Sequence, residues 1–239
     1  ALEFGIKDNV KTFKVDPKLG TEISDLVDFK PNVCFICVPT PMNDDGSQDT
    51  GILQKVIDDL LLSSISSLII LKSTVLPNSV KKIKKLFPDL VLNPEFLRER
   101  HANEDFINSK LIVLGGSKES TKLAVDFYKN YTNCVTTNYK CTDLVSAALI
   151  KYSINTFLAL KVTFFNQLYD IFSESHPSMN WEDFVDIIST DQKVYCGNEQ
   201  IKFKLFEEKL PNGKKYTAVY RNKYSFQNSD KFIIPEDHY

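Results

Sequence analysis

NVCFICVPTP, residues 32–41, is the stretch that decides the fold. Asn32 to Val38 form an almost unbroken apolar run with Pro31 before it and Pro39 and Pro41 behind. A strand buried on both faces of a parallel sheet has that pattern. Turn chemistry follows (NDDGSQDTG, 43–51), then helical periodicity from Ile52 to Leu62. A second buried strand, SLIILK (67–72), runs into Ser73 and Thr74. Further along, Ser79 to Phe87 reads as a short basic helix and Asp89 to Leu92 as a strand entering Asn93-Pro94-Glu95. Lys110 to Leu114 is another strand, closed by Gly115-Gly116, and Glu119 to Asn130 is helical. Such alternation predicts an α/β fold whose parallel strands are joined by right-handed crossovers, with ligands at their carboxyl ends. Thr40, Thr74 and Glu95 each fall just past a strand.

Upstream, KTFKVD (11–16) alternates and reads as a strand with Asp16 at its end. An acid there suits the hydroxyls of a nucleotide ribose, and a turn-forming Asp before Pro17 suits the same letters. The opening ALEFGIKDN reads as the tail of a helix, so a first strand and its G-x-G-x-x-G turn are expected to precede Ala1.

Downstream, Thr142 to Ser173 contains no Pro or Gly and repeats its apolar residues at helical spacing, with Thr142 and Asp143 supplying a cap and a first-turn carboxylate. At about 1.5 Å per residue this helix would run about 48 Å, enough to join two lobes. Lys151 and Asn155 stand four apart, hence one turn apart on one face, within an apolar neighbourhood. Either they meet partners there, or the lysine packs its stem and lifts its head to solvent. Lys161 is expected on the outer side.

The 239 residues are 43% hydrophobic, enough for a core, and 29 basic against 31 acidic residues leave a net charge of -2. Interspersed charge of that kind supplies no basic face for nucleic acid. The apolar runs are broken by Lys, Asn or Ser, and no basic-then-apolar leader opens the chain, so neither membrane insertion nor export is expected. Five cysteines and three scattered histidines (His101, His176, His238) suit neither a zinc site nor a Ser-His-Asp triad. Cys34 and Cys37 would point to opposite faces of their strand. Reduced thiols in the cytoplasm are the expectation.

The runs VPTP (38–41), KSTV (72–75), NPEFLRE (93–99), LIVLGGS (111–117) and AALIKYSINTFLALKVTFFNQ (147–167) resemble the UDP-glucose/GDP-mannose dehydrogenase family, in that family's order and spacing, over residues 10–195. The specific part is PEFLRE together with K-x-x-x-N-x-F-L-A. The resemblance implies a Rossmann-like NAD-binding domain over 1–139 and a long connecting helix and helical middle or dimerisation domain over 140–195; residues 196–239 are a divergent tail outside it, whose own pattern reads as a β-hairpin. It implies oxidation of a nucleotide sugar at C6, with UDP-glucose to UDP-glucuronate taken as the commonest case, in two NAD-dependent steps through a Cys thioester; the largely apolar circumference of the long helix separately predicts a homodimer formed through it. Residue by residue, Asp16 matches the ribose-binding acid, and Thr40 and Thr74 match threonines beside the nicotinamide. Glu95 matches the base that activates water, and Glu99 an acid beside substrate and cofactor. Phe96 and Leu97 belong to the same substrate-lining run. Lys151 and Asn155 match the pair that holds substrate and stabilises the oxyanion.

Chemistry agrees with those roles. Oxidising an alcohol builds negative charge on oxygen, and a cation with an amide donor one helical turn away is a preorganised site for it. Hydrolysing an acyl intermediate needs a carboxylate that can take a proton from water. Glu95 and Glu99 could equally be solvated loop acids, with Arg98 pairing one of them.

The sequence also departs from the family. No Gly-Gly-x-Cys segment followed by Lys-Asp occurs, and from Tyr195 the likeness stops. Cys196 comes too early to be read as the nucleophile, and Ala148 stands where the family usually has Glu. IKFKLFEEK and KYTAVYRNKY flank Pro211-Asn212-Gly213, a hairpin signal, where the family would go on to a second nucleotide-binding domain. Other readings therefore stand beside the enzyme: a non-catalytic remnant kept for dimerisation or nucleotide binding, or a dehydrogenase of the 6-phosphogluconate or 3-hydroxyacid type.

Overall fold

The computed structural model describes residues 2–97 and 101–190, together with the backbone of strands Phe203–Lys209 and Lys215–Arg221. Five strands lie side by side in sequence order: β1 (Val33–Ile36), β2 (Leu68–Leu71), β3 (Val91–Leu92), β4 (Ile112–Gly115) and β5 (Tyr139–Thr142). The helices, in chain order, are α1 (Leu2–Gly5), α2 (Leu26–Phe29), α3 (Gly51–Leu62), α4 (Pro77–Leu86), α5 (Ala102–Ile107), α6 (Lys118–Tyr131), α7 (Leu144–Glu174) and α8 (Trp181–Thr190). The chain divides into two units, Ala1–Leu97 with Ala102–Ile154, and Arg98–His101 with Asn155–Tyr239.

In the first unit the apolar runs behave as buried strands should, sending alternate side chains to opposite faces. Ile69 and Leu71 join a cluster with Leu53 and Ile57 of α3, Val80 and Ile83 of α4, and Leu144, Ala147 and Ala148 of α7. Ile70, between them, joins Val91, Leu114, Phe106 of α5, and Ala124 and Tyr128 of α6. Helices therefore cover both faces, a Rossmann-like α/β arrangement.

The expectation of parallel strands throughout needs one correction. β1 pairs with β2, β2 with β3 and β4 with β5 in parallel, but β3 meets β4 antiparallel at a single bridge, Leu92 opposite Gly115. Among its described residues the connection 93–111 holds one short helix, α5, and it delivers β4 to the sheet running opposite to β3. A second correction concerns residues 11–16, which form no strand. A strand is defined by its ladder, and the described sheet ends at β1 with no partner for them. β5 was not legible beforehand: Lys140 and Cys141 are exposed at the sheet's edge, so it shows no apolar run.

α7 starts two residues later than expected, because Asp143 rather than Thr142 caps it. Its Oδ1 accepts from the N–H groups of Val145 and Ser146 at 2.9 Å each, and its Oδ2 takes the Ser146 hydroxyl. Those hydrogen bonds, the Ser146 side chain first, hold the carboxyl below its usual range. The capping contribution is therefore present above the ordinary Asp value and disappears as pH falls through the lowered one. Asp143→Ala is expected to lower stability by about 1 kcal/mol at neutral pH, read from the urea midpoint, with the difference from wild type shrinking in acid.

Gly115 lets the helix press onto the sheet, since a Cβ there would sit 2.5 Å from that of Ala147. Among the described residues α7 is also the one helix long and apolar enough to cross a bilayer, by length and composition alone. Its Leu149, Phe157, Leu160, Phe164 and Ile171 are exposed. Lys161, expected on the outer side, is half-buried with its ammonium 6.0 Å from the Phe157 ring.

The second unit has its own small core. Phe165, Trp181 and Val185 are buried with Tyr169, Phe172 and Phe184 packed on them, the Tyr169 and Trp181 rings meeting edge-on at 5.1 Å. β6 (Phe203–Lys209) and β7 (Lys215–Arg221) pair antiparallel, as the hairpin signal predicts. The turn at Pro211-Asn212-Gly213 lies outside the described residues, as do Arg98, Glu99 and Cys196.

Candidate active site

The carboxyl ends of β1, β2 and β3 are tied together by side chains. Ser73, after β2, accepts a hydrogen bond from the N–H of Val38 at 2.9 Å and donates to its carbonyl at 2.7 Å. Thr40 donates its hydroxyl to the Thr74 carbonyl at 2.7 Å. Gln48 donates to that same carbonyl at 2.8 Å and to the Tyr152 hydroxyl of α7 at 3.2 Å, while its Oε1 accepts from the Leu76 N–H. The two threonines are thereby distinguished. Thr40 commits its hydrogen to the backbone, whereas Thr74 contributes only its carbonyl and keeps a half-buried hydroxyl.

Beyond β3 the chain turns through Asn93 and Pro94 to Glu95, Phe96 and Leu97. Asn93 is buried at 2% exposure and organises this turn. Its Nδ2 donates to the Val113 carbonyl of β4 at 2.9 Å, and its Oδ1 accepts from Lys72 at 3.2 Å and from the Tyr128 hydroxyl at 2.5 Å. Burial pushes the Tyr128 phenol well above its usual value and the Lys72 ammonium below its own. A cavity of about 20 Å³ opens among Lys72, Asn93, Glu95, Phe96, Tyr128 and Cys134.

Lys151 arrives on the same turn from α7. Its ammonium donates to the Glu95 backbone carbonyl and lies 5.4 Å from the centre of the Phe96 ring, within cation–π range. Burial lowers its pKa, with the charge of Glu95 acting in the opposite sense and that of Lys72 reinforcing the fall. Of the residues singled out in the sequence, the structure brings Glu95, Phe96, Leu97 and Lys151 together at the end of β3. Thr40 and Thr74 meet each other at the ends of β1 and β2. Asn155, one helical turn beyond Lys151, is exposed and belongs to the other unit. Asp16 is exposed and caps a short 3-10 turn at Pro17–Leu19, its Oδ1 accepting from the Lys18 N–H at 2.9 Å. The turn-forming reading of Asp16 thus describes its local geometry, with its second carboxyl oxygen left to solvent.

Residues 2–132 match the NAD binding domain of the UDP-glucose/GDP-mannose dehydrogenase family. The chain belongs to that family. Similar curated proteins include the UDP-glucose 6-dehydrogenase of Rickettsia bellii, 39% identical over 57% of this chain and 33% of that protein. The putative UDP-glucose 6-dehydrogenase YtcA of Bacillus subtilis is 40% identical over 57% of this chain and 34% of that one. The chain thus spans about a third of the length of these relatives. Among solved structures, a UDP-glucose dehydrogenase from Pyrobaculum islandicum superposes with a TM-score of 0.63 at 26% identity, covering 72% of this chain and 41% of that one. A GDP-mannose dehydrogenase from Pseudomonas aeruginosa gives 0.62 at 25% identity, covering 74% and 44%.

Within this nucleotide-sugar dehydrogenase fold, sequence reasoning passed over Lys72, Gln48, Asn93, Tyr128 and Tyr152. One signal was there to be read: an apolar strand ending in a lysine, SLIILK, buries a charge at the strand's carboxyl end. Ala148 also gains a meaning. It is 2% exposed within the apolar cluster under α7, so a carboxylate at that position would start out among apolar side chains.

Proposed function

We propose that the protein oxidises the C6 alcohol of UDP-glucose, as all or part of an NAD-dependent dehydrogenase. The observation that carries this reading is the arrival of the Lys151 ammonium, from a helix, on the Glu95-Phe96 strand end. When bound, NAD supplies the hydride acceptor. Thr40 and Thr74, joined at the ends of β1 and β2, would line its nicotinamide side, with the Thr74 hydroxyl the one still able to bond. The outward carboxylate of Asp16 would take the ribose hydroxyls, and Glu99 would stand beside substrate and cofactor.

The chain's own chemistry then follows. The C6 carbon gives up a hydride and its hydroxyl a proton, leaving a carbonyl. Lys151, with Asn155 one turn along the same helix, holds the sugar oxygen and stabilises the charge that develops on it. Phe96 and Leu97 shape the wall of the substrate site. Glu95, exposed at the turn, takes up the hydroxyl proton through a water as the carbonyl forms, and would serve as base for the hydrolytic step wherever an acyl carrier is supplied. UDP-glucose is preferred over other nucleotide sugars because the relatives at 39% and 40% identity are named for it.

A second copy of the chain is the partner we assign to the exposed apolar residues of α7, which give that helix a face suited to self-association. The setting we assign is cytoplasmic, in keeping with the four described thiols, which are all free.

Stoichiometry tests the reading. Incubated with UDP-glucose and NAD, the protein is expected to release one NADH per sugar, because these 239 residues contain no Gly-Gly-x-Cys segment to carry an acyl intermediate. Two NADH per sugar would place the second oxidation on a group other than that segment. No NADH at all would favour the scaffold reading.

A further inference from the structure

Lys72 is the charge that the reaction above leaves without a task. It is 7% exposed, and among the described residues its ammonium makes one hydrogen bond, 3.2 Å to Asn93 Oδ1. That oxygen is already held by the Tyr128 hydroxyl at 2.5 Å, so Asn93 would stay satisfied without the lysine. Stability does not explain such a group. A buried charge that lacks an ion-pair partner in direct contact carries a desolvation penalty, and replacing buried charges by apolar side chains of similar volume is often neutral or stabilising. Its place in the fold does suggest a use. Lys72 directly follows β2, ahead of Ser73 and Thr74, and it lines the same small cavity as Glu95. A cavity of about 20 Å³ accommodates a water molecule.

We propose that Lys72 is a positioning residue for Glu95, its remaining ammonium hydrogens directing that carboxylate toward the cavity through one ordered water. The proposal rests on Glu95 acting as the base. In this arrangement two lysines hold one turn. Lys151 fastens the backbone carbonyl of Glu95 from α7, and Lys72 fixes the side chain from beneath, through the Asn93 network. The charged and titratable groups around Lys72 are the Glu95 carboxylate after β3, the thiols of Cys37 after β1 and Cys134 after α6, the Tyr128 phenol on α6 and the Lys151 ammonium on α7. Glu95 is the first among those that favour the charged form of Lys72, against the burial that disfavours it.

The experiment uses the full chain as wild type, Lys72→Met and Glu95→Gln. With lysine side chains isotope-labelled, the Lys72 amine is identified by its disappearance in Lys72→Met and titrated by NMR in the other two. Its midpoint should lie below those of exposed lysines in the wild type and lower again in Glu95→Gln. Equal midpoints in wild type and Glu95→Gln would overturn the proposal. Lys72→Met should unfold at the same urea concentration as wild type or a higher one; a lower midpoint would mark an ordinary structural residue and overturn it too. Under turnover, Lys72→Met should lose at least tenfold in kcat with KM for the nucleotide sugar within twofold, and an unchanged kcat counts against it. Wild-type rates in Glu95→Gln would refute Glu95 as the base. If no NADH forms even in wild type, the titration and unfolding arms decide the proposal alone.

Discussion

Lys151→Ala is expected to lower kcat by roughly 10²- to 10³-fold, the usual effect of deleting one preorganised donor to a developing oxyanion, while leaving the fold in place. The two halves of that expectation have different physical origins. The ammonium of Lys151 touches a backbone carbonyl and the face of Phe96, both at the turn after β3. Removing it strands no charge, and the Glu95 carbonyl beside an exposed side chain can turn to water. The urea midpoint should therefore move little. A pH signature accompanies the loss. Burial lowers the Lys151 pKa from 10.5, so the cation that stabilises the oxyanion is lost earlier on the alkaline side than an exposed lysine would be. Wild-type turnover should fall at a pH below that ordinary value, and Lys151→Ala should lack that limb. Rates in Lys151→Ala equal to wild type would remove Lys151 from the mechanism.

Asn93→Ala is expected to be the most destabilising single change near the site, by about 3–5 kcal/mol, since each buried polar group left without its partner costs about 1–3 kcal/mol. Asn93 satisfies three buried groups with one side chain: the Lys72 ammonium, the Tyr128 hydroxyl and the Val113 carbonyl. Alanine leaves all three without it, beneath a strand end where Pro94 is also buried. Chemical denaturation measures the loss. Asn93→Asp should be milder, since a carboxylate would still accept from both Lys72 and Tyr128 and would lose only the bond to Val113. A loss below about 1 kcal/mol for the alanine variant would show that solvent reaches the network.

The runs NVCFICV and SLIILK were legible as strands because burial on both faces of a sheet requires continuous apolar sequence, and few other structures do. The long helix was legible from its periodicity, though its first residue depended on which of two adjacent capping side chains turned inward. KTFKVD alternates like a strand and is not one, because alternation describes a side chain's two faces and says nothing of whether a neighbour offers a ladder. The reversal of β4 had no signal either, since direction depends on the path of the connecting chain. At the site, Thr40, Thr74, Glu95 and Lys151 stood out as polar residues at strand ends or on an apolar helix. Lys72, Asn93 and Tyr128 did not, because each is ordinary until a tertiary contact buries it.

By itself the sequence determined the α/β class, the family and the strand ends where chemistry would gather, since apolar periodicity and local motifs depend on near neighbours along the chain. Only the tertiary structure decided that Asn93 would hold Lys72 and Tyr128 on one oxygen, and that Lys151 would grip a backbone carbonyl at Glu95. Those contacts join residues far apart in sequence, and their energies exist only once water has been excluded between them.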